Sequence, residues 1–336
     1  MKQRLLLWGI VLLFISCSTP KQLTLDSIFN SHFDHKMISS GSNYPDFNTR
    51  KDSIDLFLIS LHEGNTKKEF KLKAGWDDKI LQEKISLLTT KQWLSESEDF
   101  YPTIFIANNE QGKSLFSYSL PIALEIVTTI ENQLNDLRLE YEQLNLAKAH
   151  SFETMSFLIL SNVLLDNWQI NNVERHFLKA PQRPERHGKN YYYALFQNES
   201  HPKEAFGIYG NQYRSVSDSL TIAVYGNNRN LVSNQLNDPV FVEDLVKNAP
   251  TINNSDNQKL SLMADDFSVT LVEILKENLD YSMHVYRNMG YAKNISFEEF
   301  YIWWYHFIYT QATNILEEKG LLVIPETGNF YYVVRN

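Results

Sequence analysis

The clearest helical pattern in the chain runs from residue 119 to residue 144. Its apolar residues recur every three or four positions, at Ile122, Ile126, Ile130, Leu134, Leu137, Tyr141 and Leu144, and charged residues fill the other faces. This spacing is typical of an amphipathic helix that packs one side against a core. We therefore predict a helix capped by Ser119, which exposes its opposite side to water.

Two other segments are apolar on nearly every face, which is typical of helices buried in a core. Residues 152–168 form the first, and we predict that this helix is the packing centre of the fold. The second begins after Ser296 and Glu299, which have the spacing of a helix capping box, and carries aromatic residues through Tyr309. Between them, residues 260–274 predict a long helical stretch that closes at Gly290.

The remaining apolar runs are short and lie between turn residues, as strands do. Residues 54–61 predict a buried strand that forms a hairpin with residues 70–72. The runs 191–197, 205–213 and 220–225 predict a three-stranded antiparallel meander, and residues 321–324 and 330–334 a closing hairpin. The predicted fold is therefore α+β, with long helices packed against antiparallel β-hairpins and a three-stranded meander.

The first 17 residues have a distinct pattern. Lys2 and Arg4 precede an apolar run to Ile15, and Ser16 and Cys17 follow. A basic start, a short apolar run and a small residue before a cleavage point are typical of a secretory signal. The ending resembles the lipobox of bacterial lipoproteins, although Phe14 stands where leucine is commoner. The resemblance implies cleavage before Cys17 and lipidation of its thiol; the alternative is an ordinary signal peptide with a chance cysteine.

Composition and charge limit the partners and the kind of fold that the chain can have. The formal net charge is −9, and removal of Lys2 and Arg4 with the signal would make it −11, which disfavours nucleic acid as a partner. A hydrophobic content of 43% permits a large core. Cys17 is the only cysteine, so no disulfide can form within the chain. We divide the chain into a signal peptide (1–16), a tether (17–50), an α+β lobe (51–250) and a helical lobe with a C-terminal hairpin (251–336). The two lobes form either one domain or two.

Searches for catalytic motifs exclude several chemistries. The chain has no Gly-x-Ser-x-Gly elbow, no phosphate-binding glycine loop and no His-Glu-x-x-His motif. If Cys17 is lipidated, thiol catalysis is excluded as well. Ser200 and Lys203 have the Ser-x-x-Lys spacing of penicillin-recognising enzymes, but that family places the motif at a helix start, whereas Pro202 indicates a turn here.

Two histidines, His32 and His35, suggest a metal site only weakly. On a helix they would lie on one face, yet two ligands do not make a zinc site, and no third is placed beside them. We expect a surface helix near the tether, with no metal and no cofactor. The order of a core helix, a short helix and strands after residue 152 resembles a winged helix-turn-helix, but an acidic, exported chain has no access to chromosomal DNA.

Two groups of residues are candidates for ligand binding. Arg186 and His187 lie in the basic loop 182–189, just before Tyr192, and this combination suits an anionic or sugar ligand. Trp304 and His306 lie in the aromatic helix, and they are candidates for lining a pocket. The alternatives are a solvated cationic loop in the first case and ordinary core packing in the second.

The sequence favours a lipid-anchored bacterial cell-envelope protein of non-catalytic binding or interaction type. Its partners would be the membrane, through the lipid, and an envelope protein or glycan. The alternative is an envelope hydrolase that acts on glycan or peptide through paired carboxylates. Ser18 follows Cys17, where many inner-membrane lipoproteins of enteric bacteria have aspartate. This resemblance implies an outer-membrane location facing the periplasm in a Gram-negative cell.

Overall fold

The computed structural model describes residues 22–97, 100–180 and 182–335, so Cys17 and the signal lie outside the described residues. The fold is α+β, as the sequence predicts. The helices are α1 (Leu25–Asn30), α2 (Ile54–His62), α3 (Lys67–Ala74), α4 (Asp78–Thr90), α5 (Asn109–Glu142), α6 (Phe152–Ser156), α7 (Ile170–Asn172), α8 (Val232–Gln235), α9 (Pro239–Asn248), α10 (Asn254–Glu277), α11 (Leu279–Asn288) and α12 (Phe297–Glu318). Two π-helical segments, Phe157–Val163 and Val173–Phe177, continue α6 and α7.

The strands form two sheets. They are β1 (Phe33–Ile38), β2 (Phe105–Ala107), β3 (Tyr192–Gln197), β4 (Gly210–Ser217), β5 (Leu220–Gly226), β6 (Thr251–Ile252) and β7 (Asn329–Arg335). In the first sheet, of order β1-β3-β2, β1 is antiparallel and β2 parallel to β3. In the second, of order β4-β5-β7-β6, the first three strands are antiparallel and β6 is parallel to β7.

The main core lies around α12 and the π-helical segment that follows α6. Every residue from 157 to 163 is buried, which confirms the prediction of a core helix there. Helix α12 is equally enclosed, with every residue from 299 to 310 buried, and it packs against α5. The indole of Trp304 donates to the carbonyl of Leu115 across this contact, at 3.0 Å. The packing centre is therefore shared between two helices and is not formed by one alone.

The predicted hairpin of residues 54–61 and 70–72 is wrong, because both segments are helical. Short apolar runs fit a buried strand and a buried helix equally well. A capping box favours the helix in the second segment. The Thr66 hydroxyl accepts a hydrogen bond from the backbone N–H of Glu69, and the Glu69 carboxylate accepts one from the backbone N–H of Thr66. Asp77 caps α4, accepting from the N–H of Ile80 at 2.7 Å.

Helix α5 begins eleven residues earlier than predicted, because Asn108 and Gln111 form a capping box of their own, each side chain accepting from the other's backbone at 2.9 Å. The helix then passes through Pro121. A proline inside a helix removes one backbone hydrogen bond, so tertiary packing must compensate. Leu115 and Ile122 on either side are fully buried and supply that packing.

Two strand predictions differ from the structure in their partners, and one strand lies where none was predicted. The run 191–197 forms β3 but lies in the first sheet, between β1 and β2, so the predicted meander is divided between two sheets. The final strand pairs with β5 and β6 instead of residues 321–324. The edge strand β1 comes from residues expected to form a tether. Throughout the described residues, no helix is both long enough and apolar enough to cross a membrane.

Candidate functional site

A cavity of about 330 Å³ lies where the two sheets approach each other beside α12. Its volume falls within the range of small-molecule sites. Strands β1 and β4, the loop after β3, the segment after β5 and helix α12 all contribute to its wall. The lining residues are His35, Lys36, Met37, Ile38, Phe196, Glu204, Ala205, Ile208, Asn211, Gln212, Arg229, Asn230, Ser233, Trp303 and His306.

Charged groups in this wall, and directly behind it, pair with one another. Lys36 on β1 donates a hydrogen bond to Glu204, and its Nζ lies 3.5 Å from Oδ2 of Asp34. Arg229 Nε lies 3.4 Å from the other oxygen of Glu204, and one of its terminal nitrogens donates to the carbonyl of Asn211 at 3.0 Å. The Glu204 and Asp34 side chains are only 1% and 3% exposed. Two cations thus face two carboxylates, so the group is balanced in charge.

The pKa shifts in this group have clear physical causes. Burial, followed by the nearby charge of Arg229, lowers the pKa of Lys36 to about 8, so the ammonium stays mostly protonated at neutral pH. Burial acts to raise the pKa of Asp34, but the Lys36 charge and hydrogen bonds from Ala205 and Asn198 outweigh it and hold that pKa below its ordinary value. The ion pairs are therefore formed at pH 7.

A second polar layer lies behind Asn211. Its amide nitrogen donates to Oδ1 of Asn162 at 2.9 Å and to Oδ2 of Asp166 at 3.0 Å. Burial raises the pKa of Asp166 to about 7, and the Arg229 charge offsets only part of that effect. Asn162 belongs to the π-helical segment, a type of irregularity that is frequent at functional sites. The buried carboxyl of Asp166 therefore changes its protonation state near neutral pH.

His306 on α12 presents a neutral imidazole to the cavity. Burial lowers its pKa to about 4, so the ring is uncharged at neutral pH. Its Nδ1 lies 2.7 Å from the carbonyl oxygen of Ile302, and only a protonated nitrogen can donate to that acceptor. In the neutral ring Nε2 is then unprotonated. His306 thus offers a hydrogen-bond acceptor.

Three lining residues carry buried polar atoms that lack hydrogen bonds. They are Oδ1 of Asn211, Nε of Arg229 and Nε1 of Trp303, and none has a hydrogen-bond partner within residues 22–97, 100–180 and 182–335. A buried polar atom without a partner costs about 1–3 kcal/mol, so such atoms are normally satisfied by protein, water or ligand. Arg229 Nε still lies 3.4 Å from Glu204, so Asn211 Oδ1 and Trp303 Nε1 are the two atoms at this cavity that a water or a polar ligand would satisfy.

The structure separates the residues that the sequence singled out. His306 lines the cavity. Arg186 instead lies in another depression, of about 550 Å³ and more open, where it donates to Glu299 at 2.5 Å and to the carbonyl of Thr103 at 2.7 Å. Burial raises the pKa of Glu299 to about 7 despite this cation. Since Arg186 is only 4% exposed, its guanidinium is held by protein groups.

The other three binding candidates from the sequence are His187, Tyr192 and Trp304, and they lie in different parts of the fold. His187 is exposed on the loop next to Arg186, whereas Tyr192 and Trp304 are fully buried. Trp304 is not among the residues that line the cavity, and its neighbour Trp303 is. Ser296 caps α12 as predicted, but Glu299 pairs with Arg186 and does not return to the cap.

Sequence reasoning missed most of the cavity. Lys36 lies in the segment assigned to a tether, and Glu204 and Arg229 lie in loops that carry no motif. Glu204 follows Lys36 by 168 residues, and only the pairing of β1 with β3 brings the two together. Residues 33–38 (FDHKMI) do not alternate between apolar and polar positions, so the sequence carried no strand signal there.

A scan against protein-family models, a search of curated proteins and a search of solved structures each found no match to this chain.

Proposed function

We propose that this is a lipid-anchored cell-envelope binding protein whose cavity takes a small, neutral, hydroxyl-rich ligand such as a sugar. The observation that carries the proposal is the cavity wall itself, in which charge-paired groups lie beside buried polar atoms without partners. The envelope location rests on the sequence from Phe14 to Cys17. In a Gram-negative cell, the absence of aspartate after Cys17 favours the outer membrane, facing the periplasm.

The charge of the wall argues for a neutral ligand. Glu204 is already contacted by both Lys36 and Arg229, and Lys36 also lies near Asp34. An ionic ligand would have to break one of these buried pairs or enter without a partner of its own, and both are costly. A neutral ligand avoids that penalty while still forming charge-assisted hydrogen bonds.

The mixture of donors and acceptors argues for hydroxyl groups, which both donate and accept. Gln212, Asn230 and Ser233 add amide and hydroxyl groups to the wall, and His306 adds an acceptor. Trp303 supplies an aromatic surface next to them, and pockets of this kind combine an apolar surface with a few oriented polar groups. A sugar ring has this combination of an apolar face and polar edges.

The hydrolase alternative finds less support at this cavity. A glycosidase needs two carboxyl groups about 5–10 Å apart on either side of the bond that breaks. Among the described residues, Glu204 is the only carboxylate that lines the cavity, and two cations hold it. Asp166 has a raised pKa, as a general acid requires, but it lies behind Asn211 and does not line the cavity. We therefore favour binding over hydrolysis.

Isothermal titration against a panel of neutral mono- and disaccharides tests the binding proposal, with inorganic phosphate and free amino acids as charged comparators. We expect at least one sugar to bind, and Asn211→Ala to weaken it about fivefold, since one hydrogen bond contributes about 1 kcal/mol. Asn288→Ala, an exposed asparagine on α11, is the matched control and should bind as the wild type does. Preference for the charged comparators would contradict the proposal.

The anchor has its own test. The full chain and a Cys17→Ala variant are expressed in a bacterial host and compared by detergent partitioning and intact mass. We expect the wild type to partition into detergent and to carry the mass of its acyl chains, and the variant to do neither. If both proteins are unmodified, the envelope part of the proposal is wrong, whereas the sugar titration remains informative because it needs no anchor.

A further inference from the structure

Three metal-ligating side chains meet at the start of β1. His32 directly precedes this edge strand, Asp34 is its second residue, and His201 comes from the loop between β3 and β4. One ligand atom from each residue lies within 4.8 Å of the other two. The sequence hypothesis paired His32 with His35 on a helix. That is wrong, because residues 33–38 form a strand; His32 directly precedes it, and its Nε2 lies 3.3 Å from Asp34 Oδ1.

The distances fit the coordination of a small cation. Nε2 of His32 lies 3.3 Å from Oδ1 of Asp34. In a tetrahedral zinc site with bonds of about 2.0–2.2 Å, neighbouring ligand atoms lie about 3.3–3.5 Å apart. The two imidazole rings are 4.2 Å apart between centroids. Both histidines are exposed, so rotation of their side chains can bring the third ligand atom to the same distance.

Asp34 is already oriented for this role. Its Oδ2 accepts hydrogen bonds from the side chain of Asn198 and from the backbone N–H of Ala205, each at 3.0 Å. These bonds fix the carboxylate and leave Oδ1 directed at His32. Support of this kind behind a ligand is a regular feature of metal sites, and it sets the direction from which the metal is bound.

We propose that His32, Asp34 and His201 bind one divalent first-row transition metal ion, with zinc as the representative. Nε2 of His32, Oδ1 of Asp34 and one ring nitrogen of His201 would be the ligands, and water would complete the coordination. Two imidazoles and one carboxylate suit zinc and its neighbours, whereas calcium and magnesium prefer all-oxygen sites. The metal would join β1 to the loop that carries Glu204, and so would fix one wall of the cavity.

The first test is zinc titration of the full chain in detergent, after treatment with a chelator, followed by calorimetry and thermal unfolding. We expect one zinc ion per chain with a dissociation constant in the micromolar range or below, and a rise in Tm. Magnesium at the same concentration should leave Tm unchanged. Failure of the wild type to bind zinc would overturn the proposal, and this outcome is independent of whether the cavity binds a sugar.

Variants locate the site. His32→Ala and His201→Ala should each weaken zinc binding at least tenfold, and circular dichroism checks that both remain folded, as expected for exposed side chains. His284→Ala and His176→Ala remove exposed histidines elsewhere and should bind zinc as the wild type does. If the control variants lose binding and the first two keep it, zinc binds elsewhere and the proposal is wrong. His201→Gln replaces His201→Ala if the alanine variant unfolds.

Discussion

Replacing Asp166 by asparagine should change how the stability of the protein depends on pH. Asp166 is 4% exposed, and burial raises its pKa to about 7 from the ordinary value of 3.8. A carboxyl group whose pKa is higher in the folded chain binds its proton more tightly there. The wild type should therefore lose stability as the pH rises from about 4 to about 7, and the loss should level off above that range.

The size of the effect follows from the two pKa values. A difference between 3.8 and about 7 corresponds to a loss of at most about 4 kcal/mol of unfolding free energy between acidic and mildly alkaline pH. Asparagine has nearly the same shape and no titrating proton. Its oxygen can still accept from the amide of Asn211. Loss of the negative charge near Arg229 offsets part of the stability that the variant gains over the wild type at higher pH.

Urea unfolding of the wild type and of Asp166→Asn at several pH values between 4 and 8 measures the difference directly. From pH 4 to pH 8, we expect the unfolding free energy of the variant to rise by about 2–4 kcal/mol relative to that of the wild type. Only the wild type must keep a charged carboxylate buried. Asp136→Asn, which changes an exposed carboxylate on α5, should follow the wild-type curve. If the curves of wild type and Asp166→Asn run parallel, the carboxyl is not titrating in the interior, and the reasoning is refuted.

Two further substitutions test the packing around the candidate site and the second depression. Gly112→Ala should destabilise the protein by about 1–3 kcal/mol in urea unfolding, because an added Cβ would lie 2.1 Å from the ring of Phe206; an unchanged midpoint would show that the ring moves freely. Arg186→Met should destabilise it by about 3–5 kcal/mol at pH 8, because it leaves the buried carboxylate of Glu299 without its cation. The loss should be smaller at pH 5, where Glu299, whose pKa burial raises to about 7, is already protonated; an equal loss at both pH values would contradict the role given to the charge.

The parts of the fold that the sequence predicted well are those in which local chemistry and burial agree. The capping residue Ser296 marks the start of α12 correctly, since a cap needs only neighbours three residues away. The all-apolar segments 152–168 and 297–309 are long enough to be recognised as core helices. Residues 54–61 were misassigned because a short apolar run carries no information on its partners.

Most of the candidate site could not be predicted from the sequence, for a different reason. Its charged residues come from four separate segments, and the strand pairings that unite them depend on long-range contacts. Lys36 and Arg229 look like ordinary surface cations until β1 and the segment after β5 are placed beside α12. His306 was the exception, because a histidine within an aromatic helix is unusual enough to stand out.

A crystal structure of the protein with the tightest-binding sugar from the panel tests the central claim most directly. We expect the sugar ring to lie against Trp303, with hydroxyl groups within hydrogen-bonding distance of Glu204 and Asn211. The paired cations should keep their contacts with Glu204. A cavity that holds only water while the sugar occupies another surface would contradict the account.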